Sequence, residues 1–306
     1  MSLHITHHIL MVRPFRFRKN EQTAVNNYYQ HDIEEASAIE ISKQAIWEFD
    51  QFVNLLKLHG VAVTLIEGGS DFDTPDRLFP NNVISFHPQK MVLYPMFAPN
   101  RRRERNLITS SLSPQLLKER ECIDYTVFEE EQLFLEGTGC LILDRDHKKA
   151  YCSLSPRASA ELIHKFCLDF SFQPVIFQAL QAVGEWRKSI YHTNVMLSIG
   201  QHFAVICLDA IDNREHRKLV VDSLNEDHKT IITITEDQVA HFAGNILELK
   251  SINQEPLIVM SSQAYRAFLP QQLAQLSQFG TIIHSPLDTI ETCGGGSARC
   301  MIAEIF

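Results

Sequence analysis

The sequence has 306 residues, of which 45% are hydrophobic, and its formal net charge at pH 7 is -9. The acidic balance argues against nucleic-acid binding, which needs a basic surface. The sequence has no uncharged apolar run of about eighteen residues, and the N-terminus has no basic segment followed by an apolar one, so we expect no membrane span, no signal peptide and a cytoplasmic protein.

Short runs rich in β-branched residues recur along the whole chain and predict strands. In chain order they read HHILMV, VAVTLIE, NVISF, MVLYPM, CLILD, AYCSL, PVIFQAL, VMLSIG, FAVICL, TIITIT, NILEL, PLIVM, TIIHS and MIAEIF. NVISF and MVLYPM lie so close together that we expect them to pair antiparallel. The sheets should therefore be mixed.

Helical patterns lie between some of these runs. SKQAIWEFDQFVNLLKLHG has apolar residues at helical spacing and a terminal glycine, and SPRASAELIHKFCLDF begins with a Ser-Pro signal. SSQAYRAFLPQQLAQLSQFG predicts two short helices separated by Pro270. Strands alternating with helices predict the α/β class. No low-complexity linker divides the chain, so we expect one domain over residues 1–306, and a unit of roughly 60 residues repeated about five times would fit the spacing.

Four segments could carry chemistry, and each also has a purely structural interpretation. In TPDRLFPNNVISF, Asn81 and Asn82 could point into a pocket or simply form a turn. In LFLEGTGCLILD, Glu136 could orient a catalytic histidine, or be an exposed acid in a turn. His192, at the start of YHTNVMLS, could be a general acid/base or a structural histidine.

The fourth segment is GGGSARC, in which three glycines precede Cys300. Glycines allow backbone conformations and close approaches that other residues do not, and we expect them to present a partly exposed cysteine that could attack an electrophilic carbon. The alternative is a flexible turn before a buried cysteine. The seven cysteines include no CxxC pair, so we expect free thiols rather than disulfides. No metal-ligand spacing is present, and we expect neither a metal nor an organic cofactor.

The ordered set FPNN, LYPM, NRRRER, LEGTG, SPR and GGGSARCM resembles the guanidino-group-modifying superfamily, the penteins, and most closely the bacterial amidinotransferase-related citrulline hydrolases. The resemblance covers nearly the whole chain. It implies a five-unit pseudo-symmetric α/β propeller with mixed sheets around a central active site. It also implies a small-molecule amino-acid substrate, with no nucleic-acid or membrane partner, and leaves homo-oligomerisation open.

The resemblance assigns roles to individual residues. Cys300 matches the nucleophile, His192 the acid/base, and Glu136 the acid, although Thr138 replaces a glycine that follows this acid in the family. Arg102 and Arg157 match arginines that bind the substrate carboxylate, with Arg101 as a second choice for Arg102. Cys293 matches nothing in the family.

Two positions depart from the resemblance. Asn82 and Asn194 stand where many guanidino enzymes have aspartates. A carboxylate suits a cation, whereas an amide has both a donor and an acceptor and suits a neutral ureido group. Citrulline, hydrolysed to ornithine, is therefore the preferred substrate. The same asparagine pattern also resembles that of the succinylarginine dihydrolases, which act on a guanidino compound. Guanidino compounds therefore stay open as substrates.

The mechanism implied is covalent. Cys300 attacks the ureido or guanidino carbon, His192 protonates the leaving amine and then activates water, and Glu136 orients His192. The arginines hold the carboxylate through bidentate contacts. The alternatives are an arginine or methylarginine deiminase or dihydrolase, an amidinotransferase, and a non-catalytic ligand-binding propeller.

Overall fold

A computed structural model describes residues 4–34, 36–69, 72–118 and 120–306. The first three residues, which belong to the N-terminus assessed above, lie outside it. No helix in the described parts of the chain combines the length and apolar character needed to cross a bilayer.

The strands are short, as their sequence patterns predict. They are β1 (His8–Val12), β2 (Ala62–Ile66), β3 (Ile84–His87), β4 (Lys90–Leu93), β5 (Glu121–Asp124), β6 (Ile142–Asp144), β7 (Lys149–Ser153), β8 (Gln173–Phe177), β9 (Leu180–Val183), β10 (Trp186–Ser189), β11 (Leu197–Ile199), β12 (Phe203–Ile206), β13 (Thr230–Thr233), β14 (Leu247–Lys250), β15 (Pro256–Ser261), β16 (Thr281–Ser285) and β17 (Ala303–Ile305).

The α-helices lie between these strands. They are α1 (Glu21–Ala24), α2 (Ala38–Leu58), α3 (Glu104–Ser111), α4 (Pro114–Lys118), α5 (Gly137–Cys140), α6 (Ala160–Phe170), α7 (Arg214–Glu226), α8 (Glu236–Ala240), α9 (Ser262–Ala267), α10 (Pro270–Leu276) and α11 (Asp288–Gly294). Pro270 is the first residue of α10, which confirms the predicted break. The helix expected from the Ser-Pro at 155–156 begins later, because Ser159 caps α6 by accepting from the backbone of Leu162.

The three-stranded sheets share one plan. In each, the first two strands pair antiparallel and the second and third pair parallel, which gives the mixed α/β fold predicted from the sequence. With the strands of each sheet given in their spatial order, the five sheets are β3-β4-β5, β6-β7-β8, β11-β12-β13, β14-β15-β16 and β17-β1-β2. The pairing of β3 with β4 confirms the predicted antiparallel neighbours. A separate hairpin of β9 and β10 was not predicted.

The two ends of the chain meet in the last of these sheets. β17 pairs with β1 in the register Ile9↔Glu304, and β1 pairs with β2 through Ile9↔Val63. The final residues are therefore a strand held by backbone hydrogen bonds. Since β17 begins three residues after Cys300, this sheet anchors the segment that carries the cysteine.

Helix α2 covers the same region. Ser37 and Glu40 form a capping box at its start, which explains why the helix begins before the predicted Ser42. One face, including Phe49, Phe52 and Leu56, is fully buried in an apolar cluster that also contains Cys300. Each large apolar side chain buried in this way contributes roughly 1.5–3 kcal/mol. The α2 cluster thus stabilises the wall behind the candidate site.

Candidate active site

Cys300 lies in a 3-10 turn, Ala298–Met301, between helix α11 and strand β17. The sequence interpretation expected a partly exposed cysteine, but only 3% of its surface is accessible. The sulfur accepts hydrogen bonds from the side-chain amides of Asn194, at 3.4 Å, and Asn245, at 3.2 Å. Burial raises the pKa of the Cys300 thiol, although these donors, a backbone hydrogen bond from Ser297 and the charge of Arg299 act in the opposite direction.

The glycines before Cys300 are required by close packing. Gly295 ends α11 in the left-handed region, with φ of 61°. A Cβ at this position would lie 2.6 Å from the side-chain nitrogen of Asn27. The backbone carbonyl of Gly295 accepts a 2.5 Å hydrogen bond from the Tyr191 hydroxyl. The predicted role of the glycine loop, close approach of the backbone, is therefore visible in its packing.

His192 and Glu136 form a buried pair, with Nε2 of His192 2.8 Å from Oε2 of Glu136. Burial lowers the pKa of His192 to about 4, against the raising effect of Glu136. Burial alone would raise the pKa of Glu136, but Arg157, His192 and Arg101 outweigh it and lower this pKa to about 2. At neutral pH, a neutral imidazole therefore donates its Nε2 proton to a carboxylate, which leaves Nδ1 as a free base.

The turn after Glu136 leaves room for this base. A Cβ on Gly139 would lie 2.9 Å from Nδ1 of His192 and 2.4 Å from Nδ2 of Asn82. Any side chain larger than hydrogen would push these two groups apart. Glu136 itself is fully buried, not the turn acid at the surface that was the alternative interpretation.

Asn82 is oriented by Arg101. Nη1 of Arg101 donates to Oδ1 of Asn82 at 2.8 Å, and because arginine has only donors, the oxygen must face it. Nδ2 of Asn82 is buried and has no hydrogen-bond partner among the described residues. Asn82 lines the cavity that also contains Cys300 and His192, so the site contains an unused N–H donor.

Arg157 lines the same cavity and is largely bonded to protein groups. It donates from Nε to Asn26 at 2.9 Å, from Nη2 to Asn26 and the carbonyl of Thr23, and from Nη1 to Glu136 at 3.4 Å. Arg101 also donates to Glu104 and to two backbone carbonyls. In this conformation neither arginine offers the free bidentate fork that the resemblance implied, and each retains donor capacity mainly at Nη1.

The structure separates Arg101 from Arg102. Arg101 is 2% exposed and lines the cavity, whereas Arg102 is outside it, donating from Nε to the carbonyl of Met96 and pairing with Glu129. Of these two arginines, the one that lines the cavity is therefore Arg101, the second choice from the sequence. Asn81 is buried beside the site but does not line the cavity, and Asn194 contacts the sulfur.

Sequence reasoning missed several residues at this site. The cavity is also lined by Asp76, Asn27, Gln30 and Tyr191. Asp76 is fully buried, and burial raises the pKa of its carboxyl against the nearby Arg101 charge. The missed Asn245 did have a signal, because FAGNILEL places an asparagine before a strand as FPNNVISF and YHTNVMLS do.

The cavity is small, about 10 Å³, and Asn27 and Gln30 contribute to its lining from the segment after helix α1. A cavity of about 380 Å³ beside Tyr29 and Phe242 is larger, but no cysteine lines it. Chemistry rather than volume therefore marks the site. The described residues include one cluster with metal-like spacing, Asp144, His147 and Asp227, but lysine ammonium groups already bind both aspartates.

Comparison with known proteins shows the family of the chain. The family profile described as "N,N dimethylarginine dimethylhydrolase, eukaryotic" matches residues 13–306. A comparison with curated proteins gave no match.

Solved structures share the fold at low identity. The N-terminal domain of ArgZ, an arginine dihydrolase from the ornithine-ammonia cycle in cyanobacteria, bound to product, has a TM-score of 0.74 and 17% identity, with 98% of this chain and 97% of that chain covered. A cysteine-to-alanine mutant of AgrE with L-arginine has a TM-score of 0.74 and 17% identity, covering 98% of this chain and 40% of that one.

A third solved structure is a dimethylarginine dimethylaminohydrolase carrying an adduct with S-methyl-L-thiocitrulline. Its TM-score is 0.65 and its identity 14%, with 98% of this chain and 99% of that one covered. The profile match extends over nearly the whole sequence, and the predicted resemblance is confirmed: the chain belongs to the dimethylarginine dimethylhydrolase family of the guanidino-modifying pentein superfamily.

Proposed function

We propose that this protein is a cysteine-dependent hydrolase that converts citrulline to ornithine by attack on the ureido carbon. The observation that carries the proposal is the fixed amide of Asn82, whose oxygen is bonded to Arg101 and whose Nδ2 donor is unused. A ureido group has a carbonyl oxygen that can accept from this donor, whereas a guanidinium group has only donors. The free donor of Asn82 therefore suits a neutral ureido group better than a guanidinium.

In the proposed first step, Nδ1 of His192 takes the proton of the Cys300 thiol and the sulfur bonds to the ureido carbon. The carbon–nitrogen bond to the ornithine side chain breaks, and the leaving nitrogen takes the proton from His192. Glu136 supports the transient imidazolium, because a carboxylate 2.8 Å away stabilises positive charge on the ring.

The second step releases the enzyme. His192, neutral again, removes a proton from water, which attacks the S-carbamoyl carbon, and the sulfur leaves and recovers the proton. Carbamate is formed and decomposes to carbon dioxide and ammonia. The overall reaction is citrulline plus water to ornithine, carbon dioxide and ammonia, and it needs no oxidant or reductant.

A second candidate is a hydrolase acting on arginine or a methylated arginine. The observation that favours it is Asp76, a buried carboxylate that lines the cavity and has one oxygen without a hydrogen-bond partner among the described residues. Such a group could bind a guanidinium, or equally the α-ammonium group of any amino acid. The family description and the arginine dihydrolase fold neighbours are compatible with this candidate.

We also propose that the five mixed sheets surround the site as the units of one propeller-like domain spanning residues 1–306. The support is positional: Asn82, Gly139, Asn194, Asn245 and Cys300 each stand two or three residues before the first strand of a different sheet. Asn194 and Asn245 donate to the sulfur of Cys300, and Gly139 packs against Asn82 and His192. A repeated unit therefore delivers one residue from each sheet to a common centre.

The experiment is a mass-spectrometric screen of the purified protein with citrulline, arginine and methylated arginines. We expect ornithine from citrulline, at a kcat/KM at least tenfold above that for arginine. Citrulline accumulating from arginine would support a deiminase, and ornithine from arginine a dihydrolase. Transfer to an added amine would support an amidinotransferase. No turnover of any of these substrates would overturn the proposal.

A further inference from the structure

Asn245 is bonded at both ends of its side chain. Oδ1 accepts from the backbone N–H of Arg299 at 3.1 Å, and Nδ2 donates to Sγ of Cys300 at 3.2 Å and to the carbonyl of Asn194 at 2.9 Å. Because the backbone N–H of Arg299 can only donate, the amide oxygen must face it and the amide nitrogen must face the sulfur. The side chain is fully buried, so water does not compete for these bonds.

Asn194 is a second donor to the sulfur, with its own Nδ2 3.4 Å from it. Asn245 also accepts at the residue just before Cys300, so one side chain controls both the position of the 3-10 turn and the environment of Sγ. Asn245 does not line the cavity, and its amide is not available to bind substrate.

We propose that Asn245, together with Asn194, forms a two-amide cradle that stabilises the thiolate of Cys300 and holds its sulfur in line for attack. This inference rests on the proposed cysteine-dependent reaction and adds a residue to it. Hydrogen bonds to a charged acceptor are roughly twice as strong as neutral ones, so the cradle favours the thiolate over the thiol.

The other charged and titratable groups near the sulfur cannot replace the cradle. The guanidinium of Arg299 is directed to the carbonyl of Ile302 and to Glu304. His192 is neutral, as its lowered pKa of about 4 indicates, and Arg101 and Arg157 are bound to carboxylates. Asp76 and the Tyr191 hydroxyl also line the cavity, and a carboxylate there would disfavour a second negative charge.

The test measures the rate of alkylation of Cys300 by iodoacetamide as a function of pH, read by mass spectrometry of the peptide that carries Cys300. Cys122, the exposed free cysteine, is first changed to serine. Asn245→Asp keeps an oxygen toward Arg299 but replaces the donor at the sulfur with a carboxylate oxygen. We expect its alkylation midpoint to rise by at least about 1–2 pH units, because the loss of one charged hydrogen bond accounts for that much and the new carboxylate adds a like charge beside the sulfur.

Matched variants separate this role from general support of the fold. Asn194→Asp should move the midpoint in the same direction, and Asn245→Ser, with a smaller donor, should move it less. Asn213→Ala removes the side-chain cap of helix α7, which neither lines the cavity nor bonds to the sulfur, and should leave the midpoint unchanged. Asn245→Ala removes the donor without adding a charge, so a raised midpoint in this variant reports the lost hydrogen bond alone, and the test stands even if Asn245→Asp does not fold. A wild-type midpoint in folded Asn245 variants would overturn the proposal.

Alkylation needs neither substrate nor turnover. A protein that hydrolyses no amino acid, but whose Cys300 midpoint depends on Asn245, would refute the proposed function and keep the cradle. Turnover of citrulline by the wild type, combined with an unchanged Cys300 midpoint in the Asn245 variants, would support the proposed function and refute the cradle.

Discussion

Nε2 of His192 lies 2.8 Å from Oε2 of Glu136, and both side chains are inaccessible to solvent. The same carboxylate oxygen is 3.4 Å from Nη1 of Arg157, so Glu136 is the point where the histidine and an arginine meet. Burial keeps the imidazole neutral by lowering its pKa, and the hydrogen bond to Glu136 sets the tautomer that leaves Nδ1 free. The predictions below depend on it and on the groups around it.

Glu136→Gln should remove the acceptor that holds the His192 tautomer. A glutamine can donate to Nε2 and shift the ring proton to Nδ1, which then cannot act as the base. We expect kcat/KM to fall by roughly 10²–10⁴-fold, the range typical of a lost or misoriented acid/base. Steady-state kinetics check this, with exposed Glu130→Gln as the matched control. Near-normal activity of a folded Glu136→Gln protein would contradict the assigned role.

Cys300→Ala should abolish turnover and the covalent adduct while leaving the fold intact, because it removes one buried sulfur from a strand-anchored turn. Intact-protein mass spectrometry after mixing with substrate should show an adduct only in proteins that keep Cys300. Cys293→Ala is the matched control, since Cys293 is also buried on the same helix–loop segment but lies outside the cavity lining. A Cys300→Ala protein that turns over substrate would exclude the covalent mechanism.

Asn82→Asp should change substrate preference. The carboxylate would still accept from Arg101, but it would lose the N–H donor and place negative charge in the cavity, which suits a guanidinium. We expect the ratio of kcat/KM for citrulline to that for arginine to fall at least tenfold. Competition between the two substrates in one mass-spectrometric assay measures this ratio directly. An unchanged ratio would mean that Asn82 does not read the substrate head group.

Arg101 and Arg102 should differ sharply when each is changed to alanine. Arg101→Ala leaves the fully buried Glu104 without its cation, and breaking such a pair costs about 3–5 kcal/mol. Arg102→Ala removes a partly exposed contact with Glu129 and should cost about 1 kcal/mol or less. Urea denaturation gives both free energies of unfolding. A KM raised more than a few-fold by Arg102→Ala would restore the role that the sequence first assigned to it.

Glu291 makes stability depend on pH near the cysteine loop. Burial raises its pKa to about 8, and its carboxyl accepts from the hydroxyl of Ser297, three residues before Cys300. A carboxyl whose pKa is raised on folding contributes stability that is complete below the unfolded pKa, near 4.5, and is lost as pH rises toward about 8.

Glu291→Gln cannot ionise and should not show this loss. We expect the Tm of Glu291→Gln relative to the wild type to increase between pH 5 and pH 9. Parallel Tm curves for the two proteins across that range would show that Glu291 is not buried as a neutral acid.

Much of this organisation could be predicted. Alternating short strands and helices indicated a mixed α/β fold, and the break at Pro270 followed from the missing backbone donor of proline. Cys300, His192 and Glu136 could be singled out because a glycine loop, a strand-opening histidine and an acid beside a glycine turn are unusual local chemistry. Local pattern was weaker at the start of helix α6, where the capping bond of Ser159 overrode the Ser-Pro signal.

Other features depended on distances between residues far apart in the chain. Which of Arg101 and Arg102 faces the cavity depends on the rotation of a short turn, and adjacent arginines in one sequence cannot reveal it. Asn245 contributes only because β14 and β17 bring residues 55 positions apart to one sulfur. Burial of Cys300 and the tautomer of His192 likewise follow from neighbours on other sheets.

The sequence by itself determined the residue types at the site, their order and the family, because these depend on side-chain chemistry and local backbone preference. Only the tertiary structure decided which amide face Asn82 presents, which arginine accompanies it, and which groups meet Cys300. The physical reason is that hydrogen-bond direction and desolvation act over a few ångströms, and folding alone decides which distant residues come within that distance.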